Sequence, residues 1–295
     1  MIYLILLLSL ILRLYRLDAL SLFGDEIDVG YHAWSLITTG RDYYGQFLPS
    51  YLHSLAEWRA PLLMYVTAPF VGLLGPSLWS VRLPIVLLGV ANIYLLYLLT
   101  SHLFPLTLKI FKRLTLSVGE IAALILAITP WHLHYSRAAF EVTLLLTLLL
   151  LGTYWFFKQK NYFLIPFVLT FYTYSTANLF TPLFLIALYL IYKPSLRVKR
   201  SNLISYLLAL ITFIPILYQL TFGNAAGRFM HISIFTDPKI IESIILDRTE
   251  PWVNQTQEAI FHNKPLAYLS VIGNQYLQAL SPQFLFFNGD PFFRH

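Results

Sequence analysis

The sequence contains no cysteine in 295 residues, which excludes disulfides and thiolate metal sites and leaves the redox compartment unreadable. Charge is also scarce. Asp, Glu, Lys and Arg make up 12% of the chain, against about 25% in soluble proteins, while 58% is apolar and mean hydropathy is +0.66. That balance excludes an ordinary soluble globule, a disordered chain, collagen and a coiled coil. There is no Gly-rich phosphate loop, no nucleophile elbow and no internal repeat. The eight histidines make no metal signature. His132 and His134 are two apart, on different helix faces and without a carboxylate at ligand spacing, so interfacial hydrogen bonding beside Trp131 is expected of them.

Aromatic side chains, by contrast, are plentiful at 17%, which suits residues that bridge hydrocarbon and headgroup layers. The net charge of +6 is concentrated in three gaps between apolar runs. These hold Lys109, Lys112 and Arg113, then Lys158 and Lys160, then Lys193, Arg197, Lys199 and Arg200, with no acidic residue among them. The pattern is that of cytoplasmic loops and not of a nucleic-acid surface, so no nucleic-acid partner is expected.

Apolar runs near 1–17, 82–104, 117–135, 142–157, 162–177, 179–192 and 202–222 are mostly of crossing length, since about 20 residues cover a bilayer core. The expectation is an all-α protein: a polytopic transmembrane bundle of about seven spans, multi-pass in the cell membrane with its N-terminus in the cytoplasm. Residues 1–222 would form the core and 223–295 a mostly helical outer segment in which 238–247 is one helical piece. Residues 18–80 would face outside, where Asp18, Asp25, Glu26, Asp28, Asp42 and Glu57 outnumber Arg41 and Arg59. Arg13 and Arg16, at the outer end of the first span, go against the charge rule. A cleaved signal peptide is the rival for 1–17, but no basic residue precedes the run and no small-residue cleavage site follows. Pro61 to Leu74 is apolar, too short to span and carries Pro69, so a helix lying in the interface is expected.

Three places carry residues suited to chemistry. Gly24-Asp25-Glu26-Ile27-Asp28 sets three carboxylates beside a membrane surface, a costly cluster unless used; alternatively Asp25 is the N-cap of a helix running from Glu26 to about Thr38. Arg137 and Glu141 are four apart, the spacing of a local helical ion pair, and a guanidinium there also suits a bidentate phosphate clamp. Arg59 admits the same two readings. Asn254-Gln255-Thr256 matches a glycosylation acceptor.

The order of Leu12-Arg13-Leu14-Tyr15-Arg16-Leu17, Phe23-Gly24-Asp25-Glu26, Thr39-Gly40-Arg41-Asp42, Gly45, Pro49, Trp58-Arg59-Ala60-Pro61-Leu62, Arg82-Leu83-Pro84, Thr129-Pro130-Trp131-His132, Ser136-Arg137, Tyr172-Thr173-Tyr174-Ser175 and Ser281-Pro282-Gln283-Phe284-Leu285-Phe286-Phe287-Asn288-Gly289-Asp290 resembles a known family. It is that of the membrane glycosyltransferases of the type C fold, the group of protein O-mannosyltransferases and the lipid A aminoarabinose transferase. The resemblance implies transfer of a sugar, with inversion, from a polyprenyl-phosphate donor to an acceptor hydroxyl on a glycan, lipid or protein, at an extracytoplasmic site within membrane lipid. It implies that Asp25 is the catalytic carboxylate with Glu26 its neighbour, and that Arg137, Arg59 and Glu141 bind the donor. Arg59 stands where the family usually has Lys, with Ala60 replacing a proline, and Asn178 stands where relatives often carry a basic residue. No cofactor is required; a divalent metal is compatible with the chemistry, but no ligand pattern points to one. Family members continue through further spans, whereas this chain ends at Phe292-Phe293-Arg294-His295, so a fragment or a partner-dependent protein is expected. The rival class is a non-catalytic fragment, or a lipid-binding or transport subunit.

Overall fold

Eleven helices and two short hairpins make up the regular structure among the residues that the computed structural model describes, 1–54, 57–111, 114–160, 162–192, 214, 238–248 and 263–284. Two compact units divide the chain, Met1–Ala225 and Ala226–His295. The first contains α1 (Ile2–Leu14), α2 (Gly24–Thr39), β1 (Leu52–Ser54), β2 (Glu57–Arg59), α3 (Leu62–Leu74), α4 (Leu78–Leu103), β3 (Thr107–Phe111), β4 (Leu114–Ser117), α5 (Val118–Ile128), α6 (Pro130–Tyr135), α7 (Glu141–Phe157), α8 (Leu164–Thr170) and α9 (Ala177–Tyr192).

The helical class expected from the sequence stands, but seven crossings do not follow from these lengths. Among the described residues only α4 is long and apolar enough to cross a bilayer, with 26 residues and a mean hydropathy of 2.1 in its most apolar stretch. At about 1.5 Å per residue it reaches roughly 39 Å, more than a hydrocarbon core of about 30 Å. The expected span 117–135 is broken. Thr129 is extended at φ −61°, ψ 121°, as the residue before a proline is driven to be, and Pro130 restarts the chain as α6. The expected span 162–177 holds only the seven residues of α8, and α1, α7 and α9 have 13, 17 and 16 residues. The basic gap 193–201 and, apart from Ile214, the expected span 202–222 lie outside the described residues. Helix α3, expected over Pro61–Leu74, runs from Leu62 to Leu74 with Pro69 inside it.

Neither antiparallel hairpin was expected of an all-α chain. One pairs β1 with β2, placing Leu52 opposite Arg59; the other, β3 with β4, forms in the basic gap at 105–116. Strands of three to five residues carry too little periodicity to be read from sequence. Helix boundaries have local causes. Gly40 ends α2 in the left-handed region at φ 70°, its N–H donating to Leu36 O, a conformation glycine adopts without steric cost. Ser77 and Ser117 cap α4 and α5, accepting from Ser80 N and Glu120 N.

Two apolar clusters hold this unit together. In one, Val29 and Ala33 of α2, Leu63, Met64 and Val71 of α3, and Val81 and Ile85 of α4 pack with Leu144 and Leu148 of α7. The other joins Ile2 and Ile5 of α1, Ile93 of α4, and Ala123 and Ala127 of α5. Each fully buried Leu, Ile or Val contributes about 1.5–3 kcal/mol relative to exposure. Gly89 allows a close approach of α4 to its neighbours, because a Cβ there would lie 2.5 Å from Ser136 Cβ and 2.9 Å from Arg13 Nε.

In the second unit α10 (Pro238–Arg248) packs on α11 (Lys264–Ala279), burying Ile240 and Ile244. Asn263 caps α11 by accepting from Leu266 N at 3.0 Å. The helix expected at 238–247 is α10; Asn254-Gln255-Thr256 and residues 285–290 lie outside the described residues.

Candidate functional site

Helix α2 begins at Gly24, with Phe23 as the N-cap. Asp25 is therefore the second helical residue and not the cap. It still sits at the positive end of the helix, where a carboxylate is favoured. Glu26, one residue on, points the opposite way. It is fully buried and accepts from Arg82 Nε at 2.8 Å and Nη2 at 2.6 Å. It also accepts from Ala139 N at 3.0 Å and Phe23 N at 3.4 Å. Arg82 in turn donates to the carbonyls of Leu17, Leu20 and Ser21. This bidentate pair joins α2, α4, the α1–α2 connection and the turn before α7. The Glu26 carboxylate is thus occupied by donors of its own protein, while the neighbouring Asp25 side chain is exposed.

Arg59 is brought to the base of α2 by the β1–β2 hairpin. Its Nη2 donates to Glu141 Oε1 at 2.6 Å, and its Nη1 contacts Asp28 Oδ2 at 3.3 Å and Asp25 Oδ1 at 3.5 Å. Burial alone would lower its pKa, but the charges of Glu141, Asp25 and Asp28 overcome that and hold it above the ordinary value. Arg59, Asp28 and Glu141 are buried, whereas the Asp25 side chain is 54% exposed. With three carboxylates around it, the Arg59 fork faces its own protein and not an external anion. Sequence reasoning listed Asp28 only within the acidic cluster; here it also accepts from Ser54 Oγ at 2.8 Å and Tyr43 O–H at 2.9 Å. Burial, with Asp28 adding to it, pushes the Tyr43 phenol up, so it remains a donor.

His32, one turn beyond Asp28, stacks on Tyr43 with ring centroids 4.0 Å apart. It is fully enclosed, and neither ring nitrogen makes a well-aligned hydrogen bond, although the His53 backbone interacts with the ring; Asp28 Oδ1 is 3.7 Å away. Burial lowers its pKa, outweighing the opposing pull of Asp28 and Asp42.

Arg137 and Glu141 do not form the helical pair their spacing suggested. Residues 136–139 make a turn, and α7 starts only at Glu141. Arg137 Nη2 donates instead to Tyr15 O at 2.6 Å and Arg16 O at 3.2 Å. It lines a cavity of about 360 Å³ with Arg16 and Arg82, walled by Leu17, Leu20 and Leu133. Beneath lies Arg13, fully buried, bound to Ser9 Oγ at 2.7 Å and to His132 Nδ1 at 2.7 Å. Because a guanidinium only donates, His132 Nδ1 is the acceptor. His132 is thus buried within the bundle and not at an interface, and Arg13, out of place by the charge rule, faces inward. The predicted residues therefore fall into two groups: Asp25, Arg59 and Glu141 meet in an acidic cluster, and Arg137 stands with other arginines at the C-terminal end of α1. Glu26 and Arg82 are the link between the two. Among the described residues no His, Asp or Glu side chains are grouped to hold a metal ion.

No protein-family model matches the chain, and neither a curated protein nor a solved structure matches it.

Proposed function

We propose that this chain is a multi-pass membrane glycosyltransferase of the type C fold, moving a sugar from a polyprenyl phosphate to an acceptor hydroxyl on the extracytoplasmic side with inversion. The observation that carries the reading is charge separation. A cavity lined by Arg16, Arg82 and Arg137 has leucine walls, while an exposed carboxylate, Asp25, stands next in sequence to the Glu26 that anchors Arg82. The first feature suits a phosphate bearing an apolar chain, and the second suits a proton acceptor.

In the proposed step the acceptor oxygen bonds to the sugar's anomeric carbon as the bond from that carbon to the phosphate oxygen breaks. The phosphate leaves with the electron pair, and the hydroxyl proton passes to Asp25. A carboxylate is a weak base for an alcohol, so the proton moves late, after positive character on the sugar has acidified the attacking hydroxyl. Arg137 and Arg16 offset the charge growing on the phosphate. Arg59 and Glu141, assigned by resemblance to the donor, instead position Asp25.

The test uses the full chain in proteoliposomes with a radiolabelled polyprenyl-phosphate sugar. Asp25→Asn should lower turnover by about a hundredfold or more without loss of folding, since its exposed side chain and long contact with Arg59 carry little stability. Arg137→Gln should lose roughly 2–4 kcal/mol of transition-state stabilisation, about thirty- to thousand-fold in rate, and Arg137→Lys should retain part of the activity. Donor binding with no turnover in the wild type would favour the lipid-binding rival, for which the arginine cavity alone suffices.

A further inference from the structure

The motif Thr39-Gly40-Arg41-Asp42 has so far received no role, although it leads into an ordered loop. Asp42 N donates to Gln46 O, Gly45 N donates to Asp42 O, and Arg41 forms a bridge with Phe47. Gly45, at φ 89°, makes the turn possible. Asp42 Oδ1 accepts from Tyr44 N at 3.0 Å and Gln46 N at 2.8 Å. Its other oxygen, Oδ2, has no partner, although the residue is only 2% exposed. A buried carboxylate oxygen left without a donor is costly, so something is expected to bond to it.

Asp42 lines a shallow groove of about 480 Å³ with Tyr31, Trp34, Ser35 and Tyr43. Tyr31 and Trp34 project from α2 with 65% and 41% of their surface exposed, and Tyr43 is fixed by its stack on His32. Arg41 lines the same groove, its Nη1 donating to Gly45 O at 2.7 Å and its guanidinium over Phe47, so the groove carries one charge of each sign. Flat aromatic faces beside a lone carboxylate acceptor match a neutral polyol: C–H faces cover the rings and ring hydroxyls donate to the carboxylate. With Arg41 and Asp42 offsetting each other in net charge, the groove favours a neutral ligand over an ion.

We infer that this groove binds a saccharide, and that the saccharide is the acceptor. The second half rests on the transferase reading; the first does not. A continuous path supports the link: Tyr43, a wall of the groove, donates to Asp28, and Asp28 shares Arg59 with Asp25. The acceptor glycan thus lies against α2, within one polar chain of the proposed base. The rival occupant is the bilayer surface, because Tyr31 and Trp34 also wall an apolar hollow with Leu22, Ile27 and Val81.

The full chain in phosphatidylethanolamine–phosphatidylglycerol nanodiscs is screened against an array of neutral oligosaccharides of hexoses and N-acetylhexosamines, and the best binder is titrated by calorimetry. Trp34→Ala, Tyr31→Ala and Asp42→Asn should each weaken binding by about tenfold, the scale of one aromatic stack or one charged hydrogen bond. Leu48→Ala, exposed outside the groove, should bind as wild type. Asn at 42 keeps an oxygen for the turn, so that variant tests the groove even if Trp34→Ala fails to fold. No oligosaccharide bound by the wild type, or affinity changed less than twofold by all three substitutions, overturns the inference. So does quenching of Trp34 by brominated lipid that the oligosaccharide fails to relieve, since the bilayer then fills the groove. Saccharide binding without sugar transfer would sink the transferase reading and leave the saccharide site standing. Transfer to a non-glycan acceptor, with no saccharide bound, would do the reverse.

Discussion

Arg59→Met is the sharpest perturbation of the acidic cluster. The side chain is enclosed, and its partners are unequal. Asp25 is exposed and 3.5 Å away, a contact of the kind that contributes about 0–1 kcal/mol. Asp28 keeps two neutral donors, Ser54 and Tyr43, when Arg59 is lost. Glu141, at 2.6 Å, has no other side-chain donor among the described residues and bears most of the cost. Removing one partner of a buried ion pair costs about 3–5 kcal/mol, so the single variant should lose roughly 4 kcal/mol of unfolding free energy. Arg59→Met combined with Glu141→Gln takes away the stranded charge along with its partner and should recover about half of that loss, leaving the double variant roughly 2 kcal/mol more stable than Arg59→Met. The assay is SDS-induced unfolding in mixed micelles, followed by tryptophan fluorescence for wild type, both single variants and the double. A single-variant cost below about 1 kcal/mol, the range of exposed pairs, would refute the argument that Arg59 is a buried hub. A double variant no more stable than Arg59→Met would refute the assignment of the cost to Glu141.

Two further outcomes follow from the enclosure of His32 and the chain's lack of cysteine. His32 has a folded pKa held below its ordinary 6.5 by burial, so below pH 6.5 the unfolded chain takes up a proton that the folded chain refuses. Stability should then fall as pH drops from 6.5, by up to about 1.4 kcal/mol per unit. His32→Phe, which loses no well-aligned hydrogen bond, should flatten the unfolding free energy between pH 6.5 and 5.5; an unchanged slope would refute the assignment of the effect to His32. For topology, single cysteines are placed at exposed Leu48, Leu106 and Lys158 in the cysteine-free background. An impermeant maleimide applied to intact cells should label Leu48→Cys alone, and labelling of Leu106→Cys or Lys158→Cys would reverse the proposed orientation.

Local features of this fold were legible in the sequence. Gly24-Asp25-Glu26 followed by Gly40 marks both ends of α2, because helix starts favour early carboxylates and helix ends favour glycine. The apolar run broken by Pro69 gives α3, and Pro238 opens α10 as expected. Spacing rules failed where backbone geometry intervened. Arg137 and Glu141 are four apart, but the i,i+4 rule holds only inside a helix, and one begins at Glu141. Thr129 before Pro130 split an apolar stretch that composition alone read as continuous.

The pairings that define the site were not legible, because they join residues far apart in sequence. Glu26 meets Arg82 across 56 positions, Arg59 meets Glu141 across 82, and Arg13 meets His132 across 119. The hairpin that delivers Arg59 is built from two three-residue strands, below the length at which alternation can be seen. Arg13 left one visible trace, its violation of the charge rule at the end of the first apolar run. Nothing in the sequence marked His132 as the partner of Arg13; the structure buries Arg13 against Ser9 and His132.

Counting partners then separates arginines that a sequence presents as equivalent. Arg59 is committed to three carboxylates and Arg82 to one, gripped at two points. Arg13 and Arg137 bond to hydroxyl, imidazole or carbonyl groups, and with Arg16 they make no ion pair among the described residues. The surroundings of Arg59 are therefore net negative, and the C-terminal end of α1 is net positive. The guanidinium that neutralises carboxylates has little field left for a ligand, while one bonded only to neutral acceptors retains most of its own. Of the arginines singled out by sequence, Arg137 is thus the better anion binder and Arg59 the better organiser of Asp25. A donor phosphate and a hydroxyl to be deprotonated require opposite fields, and the pairing of Glu26 with Arg82 sets those two fields on either side of one buried contact.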